Sequence, residues 1–191
     1  MKIPFRETVS IGFCLIVLIL MASTQTRAQA GKTDEHDLYV ELSEIVLMDV
    51  EPDNSTILLD LVTTNEDGST AISDVATDDS KWINYSCSLA PNSSPRTIYA
   101  QITQGSVPAG LTLKLRALEA GYGGLGDLGV STGTIVLNGY PQAIIQGIGG
   151  SLTGDGIDRG HQLYYLLYTD ENEPVSSGGI QELEITFTIS E

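Results

Sequence analysis

The sequence is poor in the residues that form cross-links and metal centres. It contains two cysteines and two histidines among 191 residues. Two cysteines cannot build a disulfide framework, and the distant His36 and His161 lack the ligand spacing of a zinc site. Cys14 lies in an apolar N-terminal run. Removal of this run would leave Cys87 as the single cysteine, without an intramolecular partner. Cys87 is then either a buried apolar side chain or one half of an intermolecular disulfide.

Basic residues are also scarce. Nine Lys and Arg residues stand against twenty-five Asp and Glu residues, which gives a formal net charge of −16. A surface this acidic repels nucleic-acid phosphates and anionic lipid headgroups, so we expect no nucleic-acid partner and no electrostatic docking on membranes. Because 41% of the residues are hydrophobic, the chain can bury a core, which excludes a disordered acidic tail.

The first thirty residues have the pattern of a secretory signal peptide. Lys2 and Arg6 precede an apolar run over residues 11–22, and Ala28-Gln29-Ala30 forms an A-x-A cleavage site. The run is shorter than the roughly 20 residues that a transmembrane helix needs; an uncleaved membrane anchor is the alternative. We predict a signal peptide over residues 1–30 and an exported chain without a membrane span. Its location would be the periplasm, the cell surface or the medium.

Apolar and polar residues alternate through most of the remaining chain, as in Leu111–Arg116. A period of two is typical of strands with one buried face. It predicts strands near residues 38–42, 45–50, 56–64, 81–88, 96–103, 111–118, 133–137, 161–169 and 180–189, with a shorter one at 142–146. Such strands predict an all-β fold, an immunoglobulin-like antiparallel β-sandwich, with a closed barrel as the alternative. We expect a flexible acidic N-terminus over residues 31–37 and one domain over residues 38–191.

Glycine is concentrated in one part of the chain. Thirteen of the twenty glycines lie between residues 121 and 160, which predicts long flexible loops at residues 121–129 and 147–160. Within this region Gly121–Gly126 matches G-x-G-x-x-G and Gly129–Gly133 matches G-x-S-x-G. Both motifs function at the start of a helix, and neither segment here leads into a helical pattern. We therefore expect no catalytic residues, no bound nucleotide and no enzyme activity.

Acidic residues near the second glycine-rich segment suggest a metal. Asp155 and Asp158 flank Gly156, and Asp170 follows the next predicted strand together with Glu171. Calcium takes about six to eight oxygen ligands from flexible acidic loops. Asp155, Asp158 and Asp170 are therefore candidate calcium ligands, and a second acidic cluster comprises Asp74, Asp78 and Asp79. Neither cluster has the D-x-D-x-D-G spacing, so solvated turn residues are the alternative interpretation.

Several segments together resemble a known group of proteins. They are Lys81–Ser86, Ile98–Ile102, Gly105–Leu113, Ile144–Gly149, Gly160–Tyr165 and Leu183–Ile189. This pattern resembles uncharacterised exported proteins of Bacteroidetes-type bacteria and is more distantly similar to fimbrial and spore-coat-U-like pilin subunits. The pilin resemblance implies an incomplete sandwich that a neighbouring subunit completes with its N-terminal strand. Leu38, Val40 and Leu42 would be the inserted side chains.

Two functions are consistent with these features. The first is an exported, non-enzymatic structural or adhesion-type subunit at the bacterial surface, which associates with itself or with other surface subunits. The alternative is a stand-alone secreted module that binds a glycan or a protein partner. That module would use the glycine-rich segments, with calcium as its only candidate cofactor.

Overall fold

The computed structural model describes residues 37–41, 43–61, 75–170 and 179–191. Contacts divide the chain into two units, residues 1–40 and residues 41–191. In the first unit only residues 37–40 are described, and they are irregular and exposed. The predicted signal peptide and residues 31–36 lie outside the described residues.

The described part of the second unit consists of strands and their connections and contains no helix. The strands are β1 Ile45–Glu51, β2 Val75–Ser88, β3 Arg96–Gln104, β4 Leu111–Ala120, β5 Leu125–Ser131, β6 Thr134–Val136, β7 Gln142–Leu152, β8 His161–Thr169 and β9 Glu184–Ser190. All of their ladders are antiparallel. The predicted all-β class, with about nine antiparallel strands, is confirmed.

Two groups of strands are joined where β2 meets β7. In the first group the order is β6, β4, β8 and β2, and β1 pairs with the other edge of β2. In the second group β7 lies between β5 and β3, and β9 pairs with β3. Two residue pairs, Ser86 with Leu152 and Cys87 with Ser151, join the groups. All nine strands therefore belong to one hydrogen-bonded sheet, and the sandwich stays a prediction.

Side chains from both groups form one apolar core. Ile83, Leu115 and Leu163 of the first group are fully buried in the same cluster as side chains of the second group, which include Ile98, Ile144, Ile145 and Ile148. Each fully buried aliphatic side chain stabilises the fold by about 1.5–3 kcal/mol. Cys87 is a free, buried thiol in this cluster, as the apolar interpretation predicts.

Most predicted strands lie where the structure has them, but two do not. Residues 38–41 and 56–61 form no strand, while residues 42 and 62–64 lie outside the described residues. Alternation alone does not supply a hydrogen-bonding partner, which a strand also needs. Ile57 and Leu59 pack against the core at alternate positions, so the segment has the side-chain pattern of a strand without its ladder.

The prediction of long flexible loops at 121–129 and 147–160 is wrong for residues 125–129 and 147–152, which belong to strands, whereas residues 121–124 and 153–160 form no strand. Residues 125–131 form β5, and residues 142–152 form β7, which pairs with it. Gly126 and Gly129 both have positive φ, and a Cβ at either position would collide with a backbone oxygen of β7. Glycine is required here because the two backbones approach closely within an irregular ladder.

Candidate functional site

The predicted donor segment is exposed where it is described. Leu38 and Val40 are 79% and 83% exposed, and Leu42 lies outside the described residues. The segment has no secondary structure. Two large apolar side chains in water at alternate positions are available for another surface to bury.

The three predicted calcium ligands do not form a cluster. Among the described residues no group of three or more His, Cys, Asp and Glu side chains could hold a metal ion. Asp158 has a positive φ of 61° in the turn before β8, and the backbone N–H of Asp170 donates to Gly110 at the end of β8. Glu171 lies outside the described residues. The structure does not bring the three residues together, and calcium binding stays a prediction.

Asp155 has a different acidic neighbour, Glu51. Desolvation, followed by repulsion from Asp155 and Asp49, raises the pKa of Glu51. In the second predicted cluster, Asp78 accepts two hydrogen bonds from Ser80, and Asp74 lies outside the described residues. The structure thus gives Asp78 a local partner.

The strongest candidate for a binding site is the edge strand β9. Among the described residues β9 forms a ladder with β3 alone. Its segment Ile185–Ile189 carries no charge and no proline, the two features that commonly protect an edge strand from pairing with another chain. An edge of this kind presents unpaired backbone N–H and C=O groups to an incoming strand.

The apolar core is also incompletely covered along β9. Ile185, Phe187 and Ile189 pack against the core but are only half-buried. By contrast Ile98, the partner of Ile189 in the adjacent strand, is fully buried. The side chains of β9 therefore retain exposed apolar surface that an added strand would remove from water.

A groove of about 470 Å³ lies beside this strand. One segment of its wall comprises residues 183–185 and Phe187, another comprises residues 53–57, and Val50, Lys81 and Tyr165 complete the lining. Sequence reasoning missed this groove because its walls come from segments more than a hundred residues apart. The only sequence signal that pointed to it was the alternation of apolar and polar residues in the predicted strand 180–189.

Lys81 fixes one wall of the groove. Its ammonium group donates to the backbone oxygen of Asp53 at 2.8 Å, to Asp53 Oδ1 at 2.9 Å and to Ser55 Oγ at 2.9 Å. These three acceptors satisfy the three protons of a nearly buried cation. Hydrogen bonds from Ser55, together with Lys81, hold the pKa of Asp53 well below its usual range.

Tyr165 supplies a polar group inside the groove. Its side chain is nearly buried, and no described group forms a hydrogen bond with its hydroxyl. Burial, followed by repulsion from Asp78, raises the pKa of this phenol. The hydroxyl is therefore neutral at physiological pH, and it can donate a hydrogen bond to an occupant of the groove or accept one from it.

The interior contains a second polar pair, which is satisfied by the protein itself. His161 is fully buried at the start of β8, and its Nδ1 lies 2.7 Å from the carbonyl oxygen of Leu118. Because a carbonyl only accepts, Nδ1 carries a proton. Nε2 lies 3.0 Å from the hydroxyl of Tyr85 and 3.2 Å from the carbonyl oxygen of Leu128, which accepts a hydrogen bond from that hydroxyl. The pair links four strands and contains no nucleophile positioned for attack.

Comparisons with protein-family models, with curated proteins and with solved structures found no match. In the described part of the chain, no helix has the length and apolar character needed to cross a bilayer.

Proposed function

We propose that this protein is an exported, non-enzymatic structural or adhesion-type subunit of the bacterial surface, and that its copies assemble by β-strand donation. Residues 38–42 of one copy would add to the open edge of β9 in the next copy. The observation that carries the proposal is this edge: among the described residues β9 is paired on one side only, residues 185–189 carry no charge, and its apolar side chains are half-buried. Export is supported by the sequence pattern of residues 1–30.

The proposed donor matches the acceptor in chemistry. Leu38, Val40 and Leu42 alternate with Tyr39 and Glu41, so an extended donor would present its three aliphatic side chains on one face. On β9, Ile185, Phe187 and Ile189 have the same spacing. Burial of each aliphatic side chain would contribute about 1.5–3 kcal/mol, and backbone hydrogen bonds would satisfy the edge.

The same proposal includes the architecture. One apolar core shared by two groups of strands is the arrangement expected if the sheet folds over on itself into a pilin-like, immunoglobulin-like sandwich. In that sandwich β1 would be an edge strand of the first sheet and β9 an edge strand of the second. The groove between residues 53–57 and β9 would then be the gap that a donated strand fills.

Deletion of residues 31–42 tests the proposal. We expect native gels of cells that produce the intact chain to show a ladder of species that collapses on heating, and the deletion variant to run as a monomer while it is still exported. Paired substitutions refine the test: Leu38→Ser with Val40→Ser should abolish the ladder, and Tyr39→Ser with Glu41→Gln, on the opposite face, should preserve it. A ladder that persists after deletion would refute strand donation.

The alternative function, a secreted binding module assisted by calcium, is favoured by one contact. Asp155 and Glu51 bring two carboxyl groups together at the end of β1, and a cation would relieve their repulsion. If the intact chain is monomeric, calcium titration of Asp155→Ala with Asp158→Ala becomes the decisive experiment. Unchanged calcium binding in this variant would eliminate the calcium site.

A further inference from the structure

The outward face of β1 changes from apolar to acidic along its length. Ile45 and Leu47 are exposed, and they are followed at the same spacing by Asp49 and Glu51. Alternate residues of a strand point to the same side of a sheet. The face therefore presents an apolar half and an acidic half next to each other.

The apolar half continues across the neighbouring strands. Leu47 pairs with Ser86, Ser86 pairs with Leu152, and Leu152 pairs with Leu125. Directly paired residues point to the same side, and the three leucines are 64%, 48% and 68% exposed. Because the side chain of Ser86 is small, the side chains of Leu47 and Leu152 extend beyond it on both sides and form the walls of a depression over Ser86. We call this feature the leucine trough; it belongs to a groove of about 770 Å³.

Within the described part of the chain, the acidic end of the trough has no ion-pair partner. Asp49 and Asp155 line the groove, and Glu51 lies beside Asp155. Among the described residues no ion pair reaches any of the three. The raised pKa of Glu51 has desolvation and these neighbouring carboxylates as its causes. A cation placed here would therefore gain attraction without breaking an existing pair.

We propose that the leucine trough docks a basic, extended segment of a different protein, with an apolar side chain between Leu47 and Leu152 and a Lys or Arg at Asp49 and Asp155. The two groups would be two residues apart in the partner, because i and i+2 positions of a strand are about 6.6 Å apart, the same step that separates Leu47 from Asp49. A second copy is a poor occupant of the acidic half, because it offers only nine Lys and Arg residues against twenty-five Asp and Glu residues; strand donation at β9 uses apolar side chains and needs no basic segment. This surface does not depend on strand donation at β9.

A short peptide with this pattern, acetyl-SLSKSK-amide, is the probe. The single tryptophan, Trp82, pairs with Glu51 in the ladder of β1 and β2, so its fluorescence reports on the acidic end. We expect saturable binding to the full-length chain that weakens as salt rises. Peptides with Glu in place of Lys, or with Ser in place of Leu, should show no saturable binding.

Two variants with the same change of charge locate the site. Asp49→Asn with Asp155→Asn should weaken binding about tenfold. Asp79→Asn with Glu119→Gln, which neutralises two exposed acids elsewhere, should change binding less than about twofold. Leu47→Ser with Leu152→Ser should also weaken binding, and circular dichroism would show that the exposed positions tolerate the change.

Three results would overturn the inference. The first is no saturable binding of the peptide to the wild-type chain. The second is an equal loss of affinity in both acid variants, which would mean attraction by net charge alone. The third is a concentration-dependent dimer that Leu47→Ser disrupts, which would make a second copy the occupant.

Discussion

The β9 edge and the interior around Tyr85 differ in how their polar and apolar groups are partnered. Around Tyr85 both ring nitrogens of His161 and the phenol have partners. Along β9 one edge of the backbone has no ladder among the described residues, and the apolar side chains are half-buried. The polar groups of the interior are therefore satisfied within the protein, whereas one backbone edge and part of the apolar surface along β9 are not.

This comparison also bears on catalysis. A buried histidine beside a tyrosine is a common catalytic pairing, but the proton on Nδ1 is held by Leu118 and the phenol is engaged by a backbone carbonyl. The groove beside β9 instead combines an unpartnered hydroxyl with exposed apolar surface. The two regions thus differ: the interior polar groups are engaged with one another, and the groove carries polar and apolar groups in its lining.

The largest effect is expected in the core. Ile98→Ala should destabilise the protein by about 2–5 kcal/mol, because the side chain is fully buried. Ile189→Ala, at its cross-strand partner, should cost clearly less in the monomer, because Ile189 is only partly buried. Urea unfolding of the two monomeric variants measures both. Equal losses would mean that β9 is already fully covered.

Tyr85→Phe should cost about 1–3 kcal/mol, because it removes a hydroxyl that is hydrogen-bonded to both His161 Nε2 and the Leu128 carbonyl inside the core. The matched control is Tyr122→Phe, at an exposed tyrosine, which should leave the free energy of unfolding unchanged. Thermal and urea unfolding provide the comparison. A neutral Tyr85→Phe variant would contradict the structural role assigned to the pair.

The ion pair of Lys81 with Asp53 should make the groove wall sensitive to acid. Asp53 has a lowered pKa in the folded protein, so its contribution to stability is present above the ordinary aspartate pKa and is lost as the pH falls through the folded value. Lys81→Met should therefore be destabilised relative to wild type at pH 7, and the difference should shrink below about pH 4. A difference independent of pH would exclude the ion pair as its cause.

The smallest effect is expected at Glu51. Its raised pKa means that the folded state disfavours the ionised carboxylate, so ionisation lowers stability as the pH rises above the unfolded value. Glu51→Gln should raise Tm slightly at pH 7, and the gain should disappear at acidic pH, where the wild-type side chain is protonated in both states. A lower Tm at pH 7 would contradict the repulsion between Glu51, Asp49 and Asp155.

The strands that obey strict alternation could be predicted from the sequence, and those built from glycine could not. Residues 161–169 were predicted with the bounds that the structure gives β8. β5 was missed because Gly126 and Gly129 carry no side chain to alternate, although their close approach to β7 requires glycine. Local pattern also predicted a strand at 56–64, where residues 56–61 have the alternation but lack a partner.

The candidate sites were harder to predict than the strands. The hydrogen bonds of Lys81 to Asp53 and of Tyr85 to His161 depend on how distant segments of the chain align with each other. The residues around each position do not reveal that alignment. The leucine trough arises because three ladders place Leu47, Leu152 and Leu125 in one row. Each leucine alone is an ordinary position of an alternating strand.

Hydrogen exchange at β9 tests strand donation most directly. A variant without residues 31–42 would be mixed with a synthetic peptide that covers residues 37–43. The account predicts that the peptide slows amide exchange in Glu184–Ser190 and leaves the three-residue edge strand β6, Thr134–Val136, unchanged. Unchanged exchange in β9, or equal protection of both edges, would contradict strand donation at this edge.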